Sequence, residues 1–232
     1  MKKSKTLISV AVVLLLIAGH FRAQTYCIPS VSSPTFDDEI AYVMFATMSN
    51  VSSCSQLGSG PGSVAGAYAN YTGSSGVPNL AGSITVPTVT AGNSYPLAVG
   101  LTMCNAAIYS GIFGVFIDYN QNGSFSDAGE NIWNSGFGSG ALAPAYTTFS
   151  ASAIMIPCTA LPGITRLRVW QSESSIMAGP CTAITWGEVE DYAINIVTPS
   201  SNLTVTPSTA SVCPGNSVVF TATGGGPYTW SG

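Results

Sequence analysis

Apolar and polar residues alternate along most of this chain, and the alternation is interrupted by glycine, proline, serine and asparagine rather than by helix caps. Alternation with a period of two sends successive side chains to opposite faces of a strand, so each such run predicts a strand with one face on a core. The pattern predicts strands at 40–48, 83–89, 95–101, 111–119, 147–156, 165–171 and 191–197, then at 203–205 and 217–223. Turn-rich stretches such as 58–63 and 136–140 separate them. No segment sustains a helical period behind a cap. Strands of this length and spacing predict an all-β fold, an antiparallel β-sandwich of jelly-roll-like or immunoglobulin-like type. Residues 94–117 carry no charge, but Pro96, Gly100, Asn105, Gly111 and Gly114 divide them into strands, so no membrane span is expected.

The amino terminus departs from this pattern. Lys2, Lys3 and Lys5 precede an apolar run at 6–19 that is short for a membrane span and is followed by His20-Phe21-Arg22-Ala23. This order predicts a secretory signal peptide at 1–23, cleaved after Ala23, and a mature chain that is secreted or held at the cell surface. Its removal changes the electrostatics. Lys2, Lys3, Lys5 and Arg22 are four of the six basic residues, so Arg166 and Arg168 remain against ten acids, and the net charge falls from -4 to 2 minus 10, or -8. The single histidine, His20, leaves as well. A domain without His or Lys cannot assemble a Ser-His-Asp or Cys-His pair, a His-bound zinc, a P-loop lysine or a Schiff base. Nucleic acid is excluded as a partner, because binding it needs a basic footprint.

All six cysteines, Cys27, Cys54, Cys104, Cys158, Cys181 and Cys213, follow the signal peptide, in a compartment where disulfides persist. They are expected to be staples, with fifteen possible pairings and no C-x-x-C spacing to suggest a redox or thiolate-metal site. A domain boundary is expected near 198–201, giving a β-sandwich domain at 24–198. Residues 199–232 then read as the start of an immunoglobulin-like domain. Such a sandwich takes about 100 residues, so an incomplete domain of a longer protein is expected there.

Six of the ten carboxylates fall in two motifs. The first is the loop from Asp118 to Glu130. Calcium takes six to eight oxygens, and an EF-type loop supplies them at positions one, three, five and seven, with glycine at six and a carboxylate at twelve. Asp118, Asn120, Asn122, Gly123 and the Ser124 carbonyl fit the first half. Position twelve is Gly129, and the acid, Glu130, follows one residue later. Neutral Asn ligands and flanking strands predict weak calcium binding, of the roughly 10⁻⁴ to 10⁻³ M class of extracellular modules. The same residues also suit a plain Asn-Gly turn whose side chains satisfy the local backbone.

The second motif is Gly187-Glu188-Val189-Glu190-Asp191-Tyr192. If the last predicted strand extends back through it, Glu188, Glu190, Tyr192, Ile194 and Ile196 share one face and Asp191 takes the other. Two carboxylates near a core rim resist ionisation unless a cation or strong donors stand beside them. Arg166 and Arg168 share a face of their own strand, opposite Leu167 and Val169, and a guanidinium forks readily onto a carboxylate. At least one Arg to Glu pair is expected within a cluster of Glu188, Glu190, Asp191, Arg166 and Arg168. The alternative is a solvated arginine face beside Trp170.

Taken together, Tyr26-Cys27-Ile28-Pro29, Asp38-Glu39-Ile40, the segment 114–123 with 127–130, the segment 163–168 and the run 186–192 resemble, in this order, the GEVED domain family. That family is named for the run found here at 187–191. The resemblance implies a secreted β-rich module of multidomain surface and exported proteins of certain Gram-negative bacteria, often beside immunoglobulin-like repeats, peptidase domains and a type IX secretion signal. It implies a non-catalytic accessory or adhesion-type role, with a glycan, a protein or neighbouring domains of the same chain as the partner. Family loops often carry Asp where this chain has Asn122, which argues against tight calcium binding. The contrasting class is a carbohydrate-active enzyme or binding module using paired carboxylates. Glycosidases place them about 5 to 9.5 Å apart, and Glu188 and Glu190, with Trp133, Trp170 and Trp186 available for stacking, are its candidates.

Overall fold

A computed structural model describes residues 25–32, 38–52, 68–73, 78–79, 82–103, 109–137, 147–173, 179–199, 204–207, 211, 213 and 216–224. The predicted signal peptide at 1–23, the turn-rich stretch 58–63 and most of the one at 136–140 lie outside the described residues, as do Cys54 and Cys104.

The strands are β1 (Asp38–Phe45), β2 (Met48–Val51), β3 (Tyr68–Tyr71), β4 (Pro78–Asn79), β5 (Gly82–Ser83), β6 (Thr88–Thr90), β7 (Ser94–Met103) and β8 (Gly111–Ile117). They continue with β9 (Asn131–Phe137), β10 (Thr147–Met155), β11 (Gly163–Ser172), β12 (Gly187–Val197), β13 (Thr204–Thr206) and β14 (Thr221–Thr223). The fold is all-β, as the alternation predicts. A four-stranded sheet in the order β10-β7-β1-β2 is antiparallel throughout. It faces a six-stranded sheet in the order β3-β12-β11-β8-β9, in which β6 also pairs with β12. Among the described residues no helix is long and apolar enough to cross a membrane.

The larger sheet is mixed rather than purely antiparallel. β3 runs parallel to β12 from Tyr68 opposite Val189 to Tyr71 opposite Tyr192, and β6 runs parallel to it from Thr88 opposite Asn195 to Thr90 opposite Val197. An alternating sequence looks the same read in either direction, so it specifies faces but not strand polarity. Two short strands thus occupy successive stretches of one long edge.

The core between the sheets is filled by alternate residues of both. Ile40, Val43 and Phe45 of β1 and Leu97, Val99 and Leu101 of β7 meet Val115, Ile117, Leu167, Val169, Tyr192, Ile194 and Ile196. The strand predicted at 40–48 is a hairpin: Ala46 takes a positive φ of 52°, and Phe45 pairs back onto Met48. The strand predicted at 83–89 is split into β5 and β6. β12 extends back through the second acidic motif to Gly187, as the alternation suggested.

The outer face of the larger sheet carries a second apolar cluster of Tyr26, Tyr68, Phe116, Phe125, Trp170, Ile184 and Val189. Residues 25–32 and 179–186 cover this face and hold each other by paired main-chain bonds, Ile184 N–H to Ser30 O and Ser32 N–H to Ile184 O. A Cys27–Cys181 disulfide joins the two segments. Cys158 and Cys213 are free thiols on the surface, so the expectation that every cysteine is a staple fails at these two.

Candidate functional site

The two arginines project from β11 onto the covered outer face. Arg168 stands directly opposite Asp191 in the β11–β12 register and is fully buried. Its Nε donates to Asp191 Oδ1 at 2.7 Å and its Nη2 to Asp191 Oδ2 at 2.8 Å, a two-pronged fork. The remaining N–H groups reach the covering segments: Nη2 to Cys27 O at 2.8 Å, Nη1 to Pro180 O at 2.9 Å and Nη1 to Cys27 Sγ at 3.1 Å. One guanidinium therefore ties two strands to both sides of the disulfide, with Phe125 across its face at 4.8 Å. Asp191 Oδ2 also accepts from Arg166 Nη1 at 3.0 Å and Tyr68 OH at 2.8 Å. Burial, with the Asp191 charge adding to it, holds the Tyr68 phenol well above the ordinary tyrosine range, so it remains a donor.

The expected Arg to Glu pair is thus an Arg to Asp pair. Residues opposite one another across an antiparallel ladder project from the same face. Glu188 stands opposite Gln171 and Glu190 opposite Val169, which places both on the core face, away from the arginines. Of the expected cluster, the structure joins Arg166, Arg168 and Asp191 and separates Glu188 and Glu190 from them.

The glutamates make different contacts. Glu188 Oε2 accepts the Ile40 N–H at 2.5 Å, joining β12 to β1 across the sandwich where the β1–β7 register shifts. The Glu188 N–H donates to Gln171 Oε1 at 3.1 Å. Glu190 Oε2 accepts from Tyr192 OH at 2.6 Å, and that oxygen accepts from Asn50 Nδ2 of β2 at 2.7 Å. The Tyr192 ring stacks on Tyr71 of β3, with centroids 5.2 Å apart. Burial first, and then the Glu190 charge, push the Tyr192 phenol far up, which keeps its proton in this chain. Gly187 opens the strand at φ 141°, and a Cβ there would lie 2.1 Å from Gln171 O and 2.8 Å from Ser172 Cα. Only glycine fits this approach of two backbones.

The Asp118 loop leaves the end of β8 and returns through β9. Asp118 is buried, and it accepts from Tyr26 OH at 2.7 Å, Gly123 N–H at 2.9 Å and Asn122 N–H at 3.2 Å. Asn120 Oδ1 accepts the Asn122 N–H, and Asn122 Oδ1 the Ser124 N–H. Glu130, one residue past the EF-type position, still folds back into the loop: Oε1 accepts the N–H groups of Tyr119 at 3.0 Å and Asn120 at 3.4 Å, and Oε2 that of Asp127 at 3.4 Å. The candidate side-chain ligands therefore serve the loop's own backbone, as in the plain-turn reading. Burial raises the Glu130 pKa, the Asn120 N–H opposes that shift, and the Asp118 and Asp127 charges add to it. Among the described residues no group of three or more His, Cys, Asp or Glu is arranged to hold a metal ion.

The residues that complete these networks, Tyr26, Tyr68, Asn50 and Gln171, do not stand out in the sequence. Tyr26 and Cys27 belong to a motif, but only the tertiary fold brings them over Arg168 and Asp118. Tyr68 lies in a stretch where no strand is expected.

Arg168→Gln strands the Asp191 carboxylate beneath the disulfide. It is expected to cost about 3 to 5 kcal/mol in urea unfolding, and a loss under about 0.5 kcal/mol would show that the fork contributes nothing. Gly187→Ala is expected to destabilise by about 3 kcal/mol or more through backbone overlap and its positive φ. A variant that unfolds at the wild-type urea midpoint would contradict that geometry.

No curated protein matches the chain. A family model described as the GEVED domain matches residues 112–195. The matched stretch runs from β8 through the Asp118 loop, β9, β10 and β11 into β12, and so contains both arginines and the whole second acidic motif. The run at 187–191 that gives the family its name opens β12, between β11 and the short strands β3 and β6, and residues 112–195 match the GEVED domain family.

Proposed function

We propose that the chain is a non-catalytic β-sandwich module of an exported protein, secreted or at the cell surface, with an accessory or adhesion-type role. The observation that carries this reading is the use of the motif acids. Glu188, Glu190 and Asp191 are each at most 5% exposed, and they bond to a strand N–H, a tyrosine hydroxyl and two guanidinium groups. A paired-carboxylate hydrolase needs both carboxyls facing a substrate cleft. Here the glutamates face the core between the sheets, so their chemistry is better matched to holding two sheets together. The mature charge of -8 favours solubility outside the cell and repels anionic surfaces.

A second reading concerns the Asp118 loop, favoured by the return of Glu130 to a loop that already holds Asp118 and Asp127. Calcium there would be held by Asp118, Asn120, Asn122, the Ser124 carbonyl and Glu130, and would relieve the mutual repulsion of the acids. The ion would act on stability, bracing the turn between β8 and β9, and would bind weakly because only two of the five ligands, Asp118 and Glu130, carry charge.

Two measurements test these readings. Incubated with a panel of glycans, the chain is expected to release no reducing ends; release that disappears in Glu188→Gln or Glu190→Gln would overturn the module reading. Thermal unfolding in millimolar calcium is expected to occur at a higher midpoint than in EDTA, since a native-state ligand at ten times its Kd stabilises by about 1.4 kcal/mol. Coincident midpoints would remove calcium from the account.

A further inference from the structure

Arg166 differs from its neighbour in how it uses its donors. Arg168 directs its N–H groups to five acceptor contacts, whereas Arg166 makes one side-chain hydrogen bond, from Nη1 to Asp191 Oδ2, and its side chain stays 18% exposed. Its guanidinium carbon lies over the Tyr26 ring, 4.0 Å from the centroid. Two guanidiniums thus share the single carboxylate of Asp191. The other acid nearby, Asp118, lies beyond the Tyr26 hydroxyl and directs its oxygens to that group and to two loop N–H groups. A positive charge with unused, fixed donors is therefore left at the surface of an otherwise acidic chain. Arg166 is the only cation among the described residues with any exposure.

These donors border an open cavity of about 250 Å³ lined by Tyr26, Thr72, Ile164, Thr165, Arg166 and Ala193. It lies where β12 passes from pairing with β3 to pairing with β6, so that Ala193 sits between the two short strands. The lining combines one guanidinium, hydroxyl groups and an aliphatic wall, of which Ile164 is 58% exposed. Thr72 lines the cavity, and its hydroxyl, which donates to Asn70 Oδ1, keeps the capacity to accept. The volume falls below the roughly 300 to 1,000 Å³ of drug-sized sites and suits one sugar ring.

We propose that this cavity binds the carboxylate of an acidic sugar, a uronic acid residue, with the carboxylate on Arg166, ring hydroxyls toward Thr72 and one apolar sugar face on Ile164. A guanidinium is the side chain best shaped to take a carboxylate with two parallel bonds. This inference supplies a ligand class for the module and rests on the reading of the chain as a non-catalytic binding unit.

Titration of the full chain with galacturonate, galactose and a glutamyl peptide, followed by NMR shift changes, tests it. Galacturonate is expected to saturate, and galactose to bind at least about tenfold more weakly, because it lacks the charge-assisted contact. Arg166→Gln is expected to abolish the preference. That variant also disturbs Asp191, so Ile164→Asp, at an exposed position of the same cavity, provides the second test: it sets a like charge at the mouth and is expected to weaken galacturonate about fivefold or more while the fold persists. Equal binding of galacturonate and galactose, no saturation by about 10 mM galacturonate, or unchanged affinity in Ile164→Asp would overturn the site. Tighter saturation by the glutamyl peptide would overturn the sugar assignment. Reducing-end release from polygalacturonate, measured in the same samples, separates the two ideas: release with a normal galacturonate titration would overturn only the non-catalytic reading.

Discussion

The forked ion pair between Arg168 and Asp191 is the constraint around which the outer half of this module is organised. A guanidinium and a carboxylate removed from water lose several kcal/mol of hydration each, and their attraction offsets this only when geometry and additional hydrogen bonds are both good. Both conditions are met. Arg168 directs its N–H groups into five contacts, and Asp191 accepts from Arg168, Arg166 and Tyr68. The pair is therefore satisfied in one register of β11 against β12 and in one placement of the segments around Cys27 and Pro180. Slipping β12 by one residue would send Asp191 into the core and expose Ile194 on the outer face.

The second acidic motif reads as a division of labour by strand face. Glycine permits the backbone approach at Gln171, the two glutamates face inward to the opposing sheet and its neighbours, and the aspartate faces outward to the arginines. Glu188 bonds to β1, and Glu190 joins the chain of Tyr192 and Asn50 that reaches β2. The acidic composition, conspicuous in the linear sequence, thus leaves little charge on the surface near this strand, because its carboxylates are consumed by internal donors.

The face of each residue was legible in the sequence, since it depends only on a period of two. Alternation correctly put Arg166 and Arg168 opposite Leu167 and Val169, and Asp191 opposite Glu188 and Glu190. Partners were not legible, because they depend on register between strands that are 23 residues apart for Arg168 and Asp191, and nothing in either strand specifies that offset. The same reason hid the role of Tyr68, which reaches Asp191 from a four-residue strand too short to show a period. β9 escaped notice because Asn131, Asn134, Ser135 and Gly136 resemble turn residues, and the hairpin after Phe45 escaped because its positive-φ residue is Ala46 instead of a glycine. The Asp118 loop was legible as a turn with clustered oxygens, but not that Glu130 would bend back into it from one residue too far.

The Cys27–Cys181 bridge closes a ring that contains β1 to β11 and leaves β12 outside it. Tension applied between the two ends of the chain and entering at residue 27 crosses directly to residue 181 and bypasses everything between. Mechanical load then falls on β12, the one strand of the two main sheets without covalent protection. That strand carries the Glu188 link to β1 and the Asp191 fork onto Arg168, so the module's resistance to peeling is concentrated in the few residues of its acidic run.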